Sequence, residues 1–263
     1  MESKPSVILG LDISTNCIGV SIVYHDWVNA PVIKMMTHIY PKIPAKMKGI
    51  EALITRKNIF EKDYLRKFAD QGITDCVIES PLLFASTKDK AESVAKLLQF
   101  NGLISEAVYN TLKIIPKYIS SNEARSMAFP HLLSIRKFNK DGEVYSLMHY
   151  REGIKSNALK LFGEFPFDCD KKQVVLDLVS ESFPDIKWLT GNKNEIKKEN
   201  YDACDSLVCI LAYIKEKEHE GNEFSPEIKT VSIEENSAGT VDVKYNVCVW
   251  GKELYTHNVN VKP

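Results

Sequence analysis

Residues 7–23, VILGLDISTNCIGVSIV, decide the fold of this chain. Two apolar runs rich in β-branched residues flank the turn signal Ser14-Thr15-Asn16, and this pattern predicts a β-hairpin. Asp12 stands inside the first run, among apolar neighbours. A buried carboxylate costs several kcal/mol unless it is paired or binds a metal ion. We therefore expect Asp12 to have a role beyond the core, such as holding a cation.

Three further acids stand where an acidic metal site needs them. Glu79 ends the apolar run CVIES, and Asp202 and Asp205 lie at the head of the helical pattern YDACDSLVCILAYI. Side chains three residues apart in a helix project from nearly the same face. Together with Asp12, these carboxylates offer the oxygen ligands that Mg²⁺ or Mn²⁺ prefers. The pattern indicates metal-dependent phosphoryl transfer.

Each acid also has a structural explanation when it is taken alone. Strands often end in an acid, which would account for Glu79. Asp202 as an N-cap, with Asp205 at the third helical position, would resemble a capping box. Each explanation accounts for one position only, so the combination favours a metal site.

Composition indicates an intracellular globular protein. The 263 residues can hold one large domain with a small appendage, and an apolar content of 44% excludes a disordered chain. The formal net charge of −1 gives no sign of nucleic-acid binding, although an acidic site would cancel part of a basic DNA face. No signal peptide or membrane span is apparent, so a cytoplasmic location is expected. The cysteines show no CxxC or zinc-finger spacing. Four of them are predicted to be core residues: Cys17, Cys76, Cys204 and Cys209.

The order of predicted elements is βββαβαβα, which favours an α/β fold with a mixed five-stranded sheet flanked by helices. After the hairpin we predict a strand within 31–40, a helix over 50–70, a strand over 74–79, a helix over 88–112, a fifth strand over 112–115, and helices over 120–129, 171–183 and 202–217. Residues 1–217 are predicted to form this domain. An aromatic and basic insertion at about 130–169 would contain a short helix, and residues 218–263 would form a C-terminal β-hairpin appendage.

The order of an Asp in the first strand, a Glu in the fourth and a DxxD in the final helix resembles the RuvC-type Holliday junction resolvases of the ribonuclease-H-like superfamily. The matching segments are LGLDIST, VIES and DACDSLVCIL, with weaker support from LLQFNGLISEAV and KKQVVLDLV. The resemblance spans roughly residues 6–216. The size and divergence of this chain resemble those of phage or viral members of the family. The resemblance implies a ribonuclease-H-like fold.

The resemblance also implies an activity: a crossover junction endonuclease that cleaves four-way junctions and other branched DNA by two-metal hydrolysis. Asp12 would bridge two Mg²⁺ ions, for which Mn²⁺ would substitute, with Glu79 and Asp205 as further ligands. Asp202 would complete the cluster directly or through a water molecule. Cleavage would leave 5′-phosphate and 3′-hydroxyl ends. A homodimer is implied, because a four-way junction presents two equivalent strands, and the helix from Ser93 to Tyr109 is a plausible interface.

Arg125 and Lys171 fall where family members place cations near DNA, and Lys172 is an adjacent candidate. Leu82 and Phe84 follow the second acid, near the position of a family wedge. The cations would lie near the phosphate backbone, where contacts give affinity but little sequence information. Leu82 aligns with an aromatic wedge of the family, and Phe84 could stack on a base instead. The alternative is that the cations are merely solvated and that Phe84 belongs to the core.

Rival functions share parts of this pattern. LGLDIST also resembles the first phosphate-binding strand of sugar kinases and actin-like ATPases, but the sequence has no second Gly-rich phosphate loop. Nucleases that process ribosomal RNA precursors share the acids and are generally shorter, so structured RNA stays an alternative substrate. A DNA-binding module without catalysis would be favoured only if an acid were missing, and all four are present.

Overall fold

The computed structural model describes residues 4–81, 91–132, 137–138, 144–145, 161–162, 165–166, 169–191, 196–218, 227–235, 241–249 and 252–261. By its contacts the chain divides into two compact units. The first comprises Met1–Ala124 and Val175–Ile214, and the second comprises Arg125–Val174 and Lys215–Pro263. The predicted division between residues 217 and 218 stays a prediction.

The first unit is built on a mixed five-stranded sheet, as predicted. Its strands are β1 (Ser6–Ile13), β2 (Ile18–His25), β3 (Val32–Ile39), β4 (Asp75–Glu79) and β5 (Lys117–Ile119). They lie in the order β3-β2-β1-β4-β5. The first three strands are antiparallel, whereas β1, β4 and β5 are parallel to one another. The hairpin of residues 7–23 therefore supplies the two central antiparallel strands.

The described helices are α1 (Gly49–Phe60), α2 (Arg66–Ala69), α3 (Ala91–Leu112), α4 (Ser121–Ala128), α5 (Lys171–Ser182) and α6 (Asn200–Glu218). A π-helical turn, Glu61–Leu65, joins α1 to α2, so the predicted helix over 50–70 is nearly continuous. Among the described residues, no helix is long and apolar enough to cross a membrane.

The two faces of the sheet are covered differently because side chains alternate along each strand. On one face, side chains from β1 and β2, among them Leu9, Leu11 and Val20, join a buried core with Phe60 of α1 and Phe100 of α3. The opposite face is covered by α6. All four cysteines that were predicted to be core residues are buried.

Two glycines allow the backbone of α6 to lie directly on the sheet. A Cβ at Gly10 would lie 2.3 Å from the carbonyl oxygen of Ser206, and one at Gly19 would lie 2.1 Å from the carbonyl oxygen of Asp202. Ser21 of β2 and Ser206 of α6 form a buried hydrogen bond of 2.7 Å between their hydroxyl groups. The approach of helix to strand is thus set by main-chain contact, a usual role for glycine in a strand.

The fifth strand was wrongly placed at residues 112–115. α3 continues to Leu112 and ends at Lys113, which has a left-handed φ of 60° and donates its N–H to the carbonyl of Tyr109. Ile115 is 81% exposed, and the strand begins only after Pro116. The apolar pattern favours a strand locally, but the helix ends too late to leave room for one.

The C-terminal segment contains three antiparallel strands rather than a simple hairpin. β10 (Glu227–Glu235) and β11 (Val241–Val249) pair as predicted, and β12 (Lys252–Val261) pairs with β11. In the insertion the structure describes a short turn, Pro130–Leu132, and the two-residue strands β6 (Lys137–Phe138), β7 (Val144–Tyr145), β8 (Leu161–Phe162) and β9 (Phe165–Pro166). The short helix predicted for the remainder of the insertion lies outside the described residues.

Candidate metal centre

Asp12 and Glu79 lie at the carboxyl ends of two neighbouring parallel strands. Leu11 of β1 pairs with Ile78 of β4, so the residues that follow them lie side by side at one edge of the sheet. Leu11 and Ile78 both belong to the buried core. Their neighbours Asp12 and Glu79 therefore point to the opposite face, which α6 covers. Both acidic residues are half-buried.

Asp205 comes to the same place from α6. It lies in the second turn of the helix and is only 5% exposed. One carboxylate oxygen from each of Asp12, Glu79 and Asp205 lies within 4.8 Å of the other two. Residues from β1, β4 and α6, which are far apart in the sequence, therefore converge on one point.

This group of three carboxylates could hold a metal ion. Like charges this close repel one another, and the repulsion is stronger where burial excludes water. A divalent cation removes the repulsion, and carboxylate oxygens are the donors that hard cations such as Mg²⁺ and Mn²⁺ prefer. The donor set therefore fits the expected cofactor class.

Asp202 lies outside this group of three. α6 begins at Asn200, so Asp202 is the third residue of the helix and not its N-cap, contrary to the capping alternative. It is half-buried and precedes Asp205 by about one helical turn. The structure thus brings together three of the four predicted acids, and the fourth, Asp202, lies one turn before Asp205 on α6.

Cys17 and Tyr40 lie close to Asp202, and neither role was predicted from the sequence. Burial raises the pKa of the Cys17 thiol to about 12, and the nearby Asp202 carboxylate acts in the same direction. Partial desolvation raises the pKa of the 43% exposed Tyr40 to about 12, helped by its hydrogen bond with Cys17. Both groups are neutral at physiological pH even at their ordinary pKa values of 9.0 and 10.0, so they add no charge to the acidic site.

The predicted DNA-contacting cations lie in the second unit. Arg125 is half-buried on α4, and Lys171 and Lys172 begin α5. Asp170 caps that helix, since its carboxylate accepts the backbone N–H of Lys172 at 3.1 Å. Their contact with DNA stays a prediction. Leu82 and Phe84 lie outside the described residues.

No protein-family model matches the sequence, and a comparison with curated proteins gives no significant match. Solved structures do match. The yeast mitochondrial Holliday junction resolvase matches with a TM-score of 0.50 and 10% identity, over 80% of this chain and 78% of that chain. Two structures of Thermus thermophilus RuvC, the second in complex with a Holliday junction substrate, match with TM-scores of 0.47 and 0.48 and identities of 10% and 9%. They cover 80% and 81% of this chain and 95% and 94% of those chains.

The likeness to the yeast resolvase extends over most of both chains. In this chain the matched fold has the strand order β3-β2-β1-β4-β5, in which three antiparallel strands continue into parallel ones. The predicted fold class is confirmed: the first unit is an α/β fold with a mixed five-stranded sheet flanked by helices, and in its fold this chain is similar to the yeast mitochondrial Holliday junction resolvase.

Proposed function

We propose that this protein is a metal-dependent, structure-selective endonuclease that cleaves four-way junctions and other branched DNA. The observation that carries the proposal is the convergence of Asp12, Glu79 and Asp205 within 4.8 Å at one edge of the sheet. The fold, which matches that of a Holliday junction resolvase, supports the choice of substrate.

Asp12, Glu79 and Asp205 would hold two divalent ions, Mg²⁺ or Mn²⁺, with Asp202 acting directly or through a water molecule. Such ions supply Lewis acidity to the phosphodiester and lower the pKa of bound water. The chain's own contribution is to fix the donors: β1 and β4 hold two carboxylates in register, and α6 adds a third that is almost fully buried. The products would carry 5′-phosphate and 3′-hydroxyl ends.

The test is cleavage of three labelled substrates, a four-way junction, a Y-junction and a linear duplex, with Mg²⁺ present. Asp205→Asn keeps the size of the side chain and removes the charge, so it serves as the inactive control. We expect paired symmetric nicks in the four-way junction by the wild-type protein and none by the variant, which should still bind DNA. Cutting of every branched form would indicate a broader debranching nuclease. Cleavage that does not depend on Asp205 would overturn the proposal, and activity on structured RNA alone would replace the substrate.

We also propose that the protein acts as a homodimer. Leu98 is 39% exposed and Tyr109 is 50% exposed on α3, and their spacing places them on one stripe of the helix. Light scattering of the wild-type protein and of Leu98→Glu tests this point. We expect a dimer and a monomer, respectively, and a monomeric wild-type protein would contradict the proposal.

A further inference from the structure

The segment that leads into α6 carries two adjacent lysines and is fastened to that helix. This lysine segment comprises residues 196–199, IKKE. Asn200, the first residue of α6, is 4% exposed, and its side-chain amide donates to the carbonyls of Leu189 at 2.8 Å and Lys197 at 2.9 Å. Its side-chain oxygen accepts the N–H of Leu189 at 3.0 Å. The position of Lys197 is therefore tied to the helix that carries the acids.

Lys197 and Lys198 line a groove of about 690 Å³ together with Tyr40, Glu199 and Asp202. Both lysines are exposed. Among the residues that the structure describes, neither lysine forms an ion pair with a carboxylate. Two exposed lysines, neither of them ion-paired to a described residue, thus line the same groove as the carboxylates of Glu199 and Asp202, and Asp202 lies one turn before Asp205.

The charge of the candidate metal centre explains why nearby cations favour DNA binding. Four carboxylates carry about four negative charges, and two divalent ions would offset them. A nucleic-acid backbone brings further phosphates on either side of the one to be cleaved, and these need cations of their own. Asp202, in the groove, and Asp205, at the metal centre, both lie on α6, so lysines in this groove are positioned to meet a neighbouring phosphate.

We propose that the lysine segment binds the DNA backbone next to the scissile phosphate and so positions the strand that enters the metal centre. The inference rests on the proposed function, since it names how the same site holds its substrate. Lys197 and Lys198 each contact a phosphate oxygen, and the Asn200 hydrogen bonds keep the segment in place. Such contacts give affinity without sequence selectivity.

The test measures binding apart from cleavage. A fluorescent four-way junction is titrated with Asp205→Asn protein in Ca²⁺ over a series of salt concentrations, with and without the added changes Lys197→Ala and Lys198→Ala. Each lost phosphate contact reduces the slope of log K against log salt by about 0.9, so the lysine double change should reduce it by roughly 1.8. Adding Lys197→Arg and Lys198→Arg instead should keep the slope of the Asp205→Asn parent, because the charges remain.

The matched control is Lys62→Ala with Lys67→Ala. Both lysines are exposed and belong to the helical segment that packs on the other face of the sheet. This control removes the same charge from the protein, but it should leave the slope unchanged because exposed charges beyond about 10 Å are screened in salt. Equal slopes for the lysine-segment variant and this control would overturn the inference.

The outcomes separate the two proposals. If the wild-type protein cleaves junctions but the slope is insensitive to Lys197 and Lys198, the inference fails and the nuclease stands. If the slope depends on these lysines but no cleavage depends on Asp205, the binding role stands and the nuclease fails. If the wild-type protein binds no branched DNA, both fail.

Discussion

At the scale of single residues, Gly19 determines how closely α6 can approach the sheet. Gly19→Ala would place a methyl carbon 2.1 Å from the carbonyl oxygen of Asp202, which is closer than the two atoms can approach. Because this carbonyl is main chain, the first turn of α6 must move, and Asp205 moves with it. We expect a loss of about 1–3 kcal/mol in the free energy of unfolding, and a fall in cleavage.

The control for this substitution is Gly102→Ala on the exposed side of α3, where an added methyl group meets nothing within 4 Å. Replacing a helical glycine by alanine should raise stability by about 0.5–1 kcal/mol. Urea denaturation of both variants checks the pair. A Gly19→Ala protein as stable and active as the wild type would show that α6 does not lie as close to the sheet as described.

The raised pKa of the Cys17 thiol predicts how the free energy of unfolding changes with pH in the alkaline range. The pKa of this thiol rises from 9.0 to about 12 on folding, mainly through burial. The folded state therefore keeps a proton that the unfolded chain releases, so the stabilising contribution is complete below pH 9 and is lost between pH 9 and about 12. We expect the free energy of unfolding to fall across this window, and to fall less steeply in Cys17→Ala. Urea denaturation below and within the window measures both, and identical pH profiles would contradict the assignment.

The acids could be predicted from the sequence because a charge inside an apolar run conflicts with burial unless it has a function. Asp12 and Glu79 carry this conflict, and Asp205 repeats it in a helix. The roles of Cys17, Tyr40 and Asn200 could not be predicted in this way. Each depends on contacts across loops, and none conflicts with its local sequence.

At the scale of elements, α6 and β2 are joined by a pair of buried hydroxyl groups. Ser21 and Ser206 are hydrogen-bonded to each other at 2.7 Å, and Ser206 donates to the carbonyl of Ala203 at 2.7 Å. Each single change to alanine should cost about 1 kcal/mol. The double variant should cost less than the sum, with a coupling energy of about 0.5–1 kcal/mol, because each single variant already loses the hydrogen bond between the two hydroxyl groups and it can be lost only once. A thermodynamic cycle from urea denaturation gives this coupling.

Ser105 and Tyr118 provide the comparison pair, since their hydroxyl groups also share a hydrogen bond but in an exposed position. Water replaces that bond when either partner is removed, so the coupling of Ser105→Ala with Tyr118→Phe should be near zero. Equal coupling in the two pairs would mean that burial contributes nothing to the contact between α6 and β2.

The elements themselves followed from periodicity wherever the pattern was long. The hairpin, the helix at 171–183 and the final helix were all predicted within two residues of their observed ends. β5 was misplaced because α3 ends only at Lys113 and Pro116 delays the next strand. β12 was missed because polar residues interrupt its apolar alternation, LYTHNVNV. Hydrogen bonds to β11 hold this segment as a strand although its own apolar alternation is weak.

At the scale of the whole molecule, the acidic group should make stability depend on divalent ions. Mg²⁺ that binds the folded site and not the unfolded chain should raise the melting temperature. In EDTA, Asp205→Asn should melt at a higher temperature than the wild type, because one of three repelling charges is gone. Adding Mg²⁺ should then shift the variant less. Differential scanning fluorimetry measures both effects, and equal Mg²⁺ shifts in the two proteins would contradict a metal centre at Asp205.

α6 is close to the last element of the first unit to be synthesised, and it supplies both Asp205 and much of the cover for the sheet. A nascent chain that stops before residue 200 has its first two carboxylates but lacks the third. It also leaves the second face of the sheet bare, which favours capture by chaperones or proteases. Under the proposed function, a chain that stops before α6 could not cleave DNA, because the third carboxylate is made together with the helix that completes the core.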